Sequence, residues 1–114
     1  MEREATTPQP GARGFSRATE NVMPKLSEQE ADKRLASLRG WTREGDAIRK
    51  QFTFAGFPEA VAFVNRLAPE AEGADHHPDI LINYKRVTLT YSTHSEGGLT
   101  EKDFAGAAMA DRVA

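Results

Sequence analysis

Three histidines, all between residues 76 and 94, are the side chains of this sequence best suited to chemistry. His76 and His77 are adjacent and are followed by Pro78, which restricts the backbone of the residue before it. His94 closes a run of alternating residues and stands just before Gly97-Gly98. Imidazole titrates near neutral pH, so a cluster of three suits either proton transfer or metal binding. Carboxylates that could steer such a site lie close in sequence: Glu72, Asp75, Asp79, Glu96 and Asp103. The histidine spacing matches no HExxH-type zinc signature, and a chain without cysteine has no thiolate ligands, thiol nucleophiles or disulfides. No Ser-His-Asp order, phosphate-cradling loop or dinucleotide fingerprint is present. The residues alone therefore point to a histidine-rich acid-base or binding site. Plainer duties stay open for two of its neighbours, Asp103 as a helix cap and Glu72 as a solvated helix-end residue.

The elements that must position these groups follow from caps and periodicity. Ser27 with Glu30 opens a first helix, in which Ala31, Leu35 and Leu38 recur at helical spacing and Gly40 suits the stop. A short strand over Trp41 to Arg43 turns through Glu44-Gly45-Asp46 into a second, where Ile48, Lys50, Phe52 and Phe54 alternate with polar residues. Lys50 is the one polar residue on the apolar side. Phe57-Pro58-Glu59 starts a second helix with Ala60, Phe63, Val64, Leu67 and Ala71 on its apolar stripe. Pro69 falls inside that pattern and is expected to kink or break it. Asp79 to Tyr84 and Val87 to Tyr91 read as two further strands joined through Tyr84-Lys85-Arg86. Thr100 and Asp103 form a capping box for a third helix reaching about Val113, with Leu99 and Phe104 as its hydrophobic staple. The expected fold is α+β, a four-stranded antiparallel sheet with three helices packed on one face, in the order α-β-β-α-β-β-α.

Composition sets the context. The chain has 114 residues, 28% charged and 39% hydrophobic, with 15 basic against 17 acidic side chains and a formal net charge of −2. That balance gives no basis for an electrostatic grip on nucleic acid or an anionic membrane, and no apolar run is long enough to span a bilayer. The absence of cysteine and of a secretory signal suits a cytoplasmic protein. Residues 1–22 are rich in Thr, Pro, Gly and charge and read as a disordered extension, leaving 23–114 as the domain. A domain of that size is often marginal alone, so a homo-oligomer is expected.

At these residues the sequence resembles the pterin-4a-carbinolamine dehydratase family. The resemblance runs from Leu26 to the C-terminus through Gly40-Trp41, Asp46-Ala47-Ile48, Lys50-Gln51-Phe52-Thr53-Phe54, Phe63-Val64, Ala71-Glu72, His76-His77-Pro78, Tyr84, Val87, Thr93-His94 and Gly98-Leu99-Thr100 with Asp103. Its specificity lies in fixed separations: Glu72 is four residues before His76, His94 eighteen after it, and Asp103 nine after His94. Pro69 and Ile80 depart from the family pattern, in a helix usually uninterrupted and at a position where some relatives carry an aromatic.

The resemblance implies the element order already reached and assembly as a homodimer or homotetramer. It implies dehydration of a 4a-hydroxytetrahydropterin to the quinonoid dihydropterin, which recycles the pterin of aromatic amino acid hydroxylases, with no metal or organic cofactor. His76 and His94 are implied as the proton-transferring pair and His77 as the group that orients the pterin. Glu72, Asp75, Ser92, Thr93, Ser95 and Asp103 would bind substrate or set imidazole tautomer and charge. Animal members of the family also serve as dimerisation partners of a transcription factor. A protein-binding module, or a pterin-linked role in molybdopterin metabolism, is therefore the alternative function.

Overall fold

The computed structural model describes residues 24–114, so the expected N-terminal extension lies outside the described residues. Helix α1 (Glu28–Leu35) leads into strands β1 (Thr42–Glu44) and β2 (Ala47–Thr53). Helix α2 (Phe57–Ala74), strands β3 (Asp79–Asn83) and β4 (Arg86–Tyr91), and helix α3 (Glu101–Val113) follow, with a 3-10 turn over His94–Glu96 before α3. This is the expected α-β-β-α-β-β-α order. The strands form one antiparallel sheet in the spatial order β1-β2-β4-β3.

Alternation decides which face of the sheet is covered. Ile48 and Phe52 of β2 pair with Tyr91 and Val87 of β4, and with Leu89 they are buried under the helices. Helix α2 contributes Ala60, Phe63, Leu67 and Ala71 to this core, and α3 contributes Phe104, Ala107 and Ala110. Each large apolar side chain removed from water in this way stabilises the fold by roughly 1.5–3 kcal/mol. Lys50 shares the covered face because its stem lies across it while its ammonium reaches the edge. There Nζ donates to Asp111 Oδ1 and to the Arg39 carbonyl, both at 2.9 Å. Trp41 Nε1 donates to the same Asp111 carboxylate at 3.1 Å.

Three boundaries differ from the sequence expectation. Helix α1 begins as expected, with the Ser27 hydroxyl accepting from the Glu30 amide at 3.1 Å, but it ends at Leu35. The Ser37 hydroxyl bonds the Arg34 carbonyl at 2.8 Å and draws it out of the helical ladder, so the chain turns well before Gly40. Glu44 joins β1 and leaves Gly45-Asp46 as the turn, with Gly45 at φ 60°. The β3–β4 turn is Tyr84-Lys85, with Tyr84 at φ 57°.

A fourth difference bears on the site. Pro69 does not end α2, which continues to Ala74. Leu67 and Ala71 on either side of it are buried while Pro69 itself is exposed, so core packing outweighs the proline penalty of about 3 kcal/mol. Pro69→Ala would restore the amide that bonds the Asn65 carbonyl. It is expected to raise stability by about 1–3 kcal/mol, read as an increased denaturation midpoint.

Candidate active site

The end of α2 aims the histidines. Asp75 closes the helix in the left-handed region (φ 53°, ψ 40°), with its amide donating to the Ala71 and Glu72 carbonyls. The His76 amide also returns to the Ala71 carbonyl, at 3.2 Å. This reversal sends His76 back toward α3, and aspartate is among the few non-glycine residues that adopt it readily. The structure thus gives Asp75 a backbone duty that the sequence reading did not see.

Helix α3 supplies the partner. Asp103 is fully buried at its first turn, and its Oδ1 lies 2.6 Å from His76 Nε2. Its Oδ2 accepts from the Thr93 hydroxyl at 2.8 Å and from the Thr100 amide at 2.9 Å. The Thr93 and Thr100 hydroxyls lie 2.9 Å apart, and Thr100 Oγ1 accepts from the Lys102 amide at 3.2 Å. Only one order of donors satisfies every atom: Lys102 amide to Thr100 hydroxyl, Thr100 to Thr93, Thr93 to Asp103. A carboxylate can only accept, so with Asp103 in that form His76 Nε2 carries the proton of this contact and Nδ1 is the nitrogen outside it. Asp103 therefore combines the cap read from sequence with a hydrogen bond to imidazole. Buried charge-assisted bonds of this kind contribute about 1.5–3 kcal/mol each.

The remaining residues separate. His77 Nε2 pairs with Glu72 Oε1 at 2.8 Å, but both side chains are exposed and the pair adds at most about 1 kcal/mol. His94, also exposed, opens the 3-10 turn outside the His76–Asp103 network. With Ser92 it lines a cleft of about 350 Å³ that also includes Asp46, Asp79, Thr90 and Gly98. Asp79, on the wall of this cleft, directly follows Pro78 in the chain. His76 borders a second cleft of about 360 Å³ between α2 and α3, with Gly73, Lys102, Gly106 and Met109 among its walls. Ser95 is exposed and lines neither cleft. Among the described residues, no three histidine, aspartate or glutamate side chains gather closely enough to hold a metal ion. No helix among them is long and apolar enough to cross a membrane.

Tyr91, read from sequence only as the end of a strand, also belongs to this neighbourhood. Its ring lies 5.7 Å from that of His76 at an interplanar angle of 21°. The signal was its place two residues before Thr93, on the face of β4 that meets α3. Its hydroxyl is buried with no hydrogen-bond partner among the described residues. Burial, and then the charge of Asp103, push its pKa up to about 12 from 10.0. A phenol pKa raised in the folded state leaves stability intact below pH 10 and removes it as pH rises toward 12. The loss should reach about 2–3 kcal/mol by pH 12. Urea titrations across that range should show the decline in the wild type and a reduced one in Tyr91→Phe.

With this geometry in view, the chain can be set beside known proteins. The pterin 4 alpha carbinolamine dehydratase family model matches residues 24–113. A relative from Roseiflexus sp. (strain RS-1) is 51% identical over 89 residues, covering 78% of this chain and 96% of its own length. One from Sulfolobus acidocaldarius is 46% identical over 89 residues, covering 78% and 98%. A crystal structure described as a transcriptional coactivator/pterin dehydratase from Brucella melitensis superposes with a TM-score of 0.76 at 38% identity, covering 79% of this chain and 98% of that one. A pterin dehydratase-like protein described as a RuBisCO assembly factor in the alpha-carboxysome gives a TM-score of 0.53 at 26% identity, covering 64% and 84%. Every element around His76, His77, His94 and Asp103 lies inside the matched span, and the chain belongs to the pterin 4 alpha carbinolamine dehydratase family.

Proposed function

We propose that this protein dehydrates a 4a-hydroxytetrahydropterin to the quinonoid dihydropterin, recycling the pterin that aromatic amino acid hydroxylation leaves hydroxylated. The bond from C4a to the hydroxyl oxygen breaks, the N5 proton departs, N5 and C4a become doubly bonded, and water leaves. An acid must protonate the departing oxygen and a base must take the N5 proton. Imidazoles supply both forms near neutral pH. The observation that carries the reading is the buried Asp103 holding His76 Nε2 at 2.6 Å, in a chain of this family. His76 would transfer a proton through Nδ1, and His94, across the Asp79 side of the site, would transfer the other. His77, backed by Glu72, would orient the pterin, while Ser92, Thr93, Ser95 and Asp75 would shape its surroundings. The test is to mix purified protein with chemically generated 4a-hydroxytetrahydropterin and follow the loss of its ultraviolet absorbance. Acceleration over the spontaneous rate supports the reading, and its absence overturns it.

The protein would act in the cytoplasm as a homodimer or homotetramer. Strand β3 is an outer strand of the sheet, with Ile80 40% and Leu81 62% exposed and no proline or lysine to blunt it. Pairing of two such edges would cover them. Leu81→Lys is expected to shift the species seen by light scattering toward monomer, and an unchanged mass would count against β3 as the contact. A protein-binding role is a second reading, favoured by the exposure of Phe57, Leu81 and Tyr84. On that reading a His76→Ala, His94→Ala variant keeps its partner while losing turnover.

A further inference from the structure

Asp103 fixes one atom of His76, and one bond leaves the imidazole free to rotate about it. We propose that Tyr91 is the positioning residue that removes this freedom. Its ring, admitted by the glycine at position 106, is the flat platform that sets the plane of the His76 imidazole. The inference rests on the dehydratase reading for its kinetic consequence and on geometry alone for the rest.

Three observations converge on this contact. The Tyr91 and His76 rings are nearly parallel, 5.7 Å apart at 21°. Tyr91 is itself fully buried, with the Trp41 ring 6.0 Å away in the core. Helix α3 passes so close that a Cβ on residue 106 would lie 2.5 Å from Tyr91 Cε1 and 2.7 Å from Cζ. No other side chain fits there without moving the ring. The contact also carries two local costs, a glycine inside a helix and a buried hydroxyl with no partner among the described residues. Departures from local rules are expected at functional or strained sites. A leucine or methionine would fill the core but offer no flat face to an imidazole.

The test combines imidazole NMR with kinetics. In the wild type and in Tyr91→Phe, the His76 ring protons should show the upfield displacement that a stacked aromatic ring causes. Tyr91→Leu should lose it. On the same variants, Tyr91→Leu should lower kcat by roughly 10- to 100-fold while KM changes little, and Tyr91→Phe should restore turnover. Gly106→Ala should act like Tyr91→Leu by pushing the ring aside. The double variant Gly106→Ala, Tyr91→Leu relieves that clash and should regain thermal stability without regaining kcat. It also takes the place of Tyr91→Leu if the single variant is too loose to purify. Recovery of kcat together with stability would reduce Tyr91 to core filling and overturn the proposal. So would an unmoved His76 resonance in Tyr91→Leu. A wild type without dehydratase activity would remove the functional reading instead, and the imidazole resonances would still decide whether Tyr91 sets the ring.

Discussion

Replacing Asp103 with alanine is expected to abolish most turnover and to cost about 2–4 kcal/mol of stability together, because one carboxylate serves both purposes. Its Oδ2 caps α3 through the Thr100 amide and accepts from the Thr93 hydroxyl, so its removal leaves two buried donors unpaired. Its Oδ1 holds His76 Nε2, so the same change frees the imidazole to turn and lets its tautomer drift. A kcat loss of at least about 100-fold follows if that orientation matters. Asp103→Asn separates the two effects. Its carbonyl oxygen can still accept from Thr100 or from His76, but its amide nitrogen then faces a donor at the other site. Asparagine should therefore recover part of the stability, seen in the denaturation midpoint, while kcat stays low. An asparagine variant with wild-type kcat would show that the carboxylate is only a cap.

The second large effect belongs to the histidines. His76→Ala should lower kcat by roughly 10²- to 10⁴-fold, the range that a positioned proton-transfer group contributes. His76 is 12% exposed at its side chain, so truncation should also loosen the packing between Tyr91 and α3 slightly. His77→Ala should be milder and should appear mainly in KM. Its bond to Glu72 is solvent-exposed, and an orienting group contributes to substrate binding more than to the chemical step. Steady-state kinetics on the two single variants, after circular dichroism shows them folded, checks the division of labour. Equal losses in kcat for both would place His77 in proton transfer as well.

Much of this could be seen in the sequence because the signals were local. The Ser27 and Thr100 caps, the period-two alternation of β2 and β4, and the helical stripe of α2 each depend on residues within a few positions of one another. They fixed the element order and placed Asp103 at a helix start. What the sequence hid depended on contacts between distant segments. Pro69 read as a break because the burial of Leu67 and Ala71 against the sheet cannot be weighed locally. Tyr91 read only as a strand residue because its neighbours His76 and Gly106 are 15 positions away on either side in the chain. Asp75 looked like a site carboxylate, and its left-handed backbone emerges only where α2 ends. The resemblance implied one site holding His76, His77, His94, Glu72 and Asp103. In three dimensions His76 and Asp103 are joined directly, His77 and Glu72 form a separate surface pair, and His94 lines the Asp79 cleft.

The most direct test of the proton-transfer account is the initial rate of 4a-hydroxytetrahydropterin loss at neutral pH for the wild type and for the variant carrying both His76→Ala and His94→Ala. The wild type should accelerate the loss well above the spontaneous rate, and the folded double variant should fall back to within about tenfold of it. A double variant that retains full activity would contradict the assignment of these two imidazoles to the chemistry.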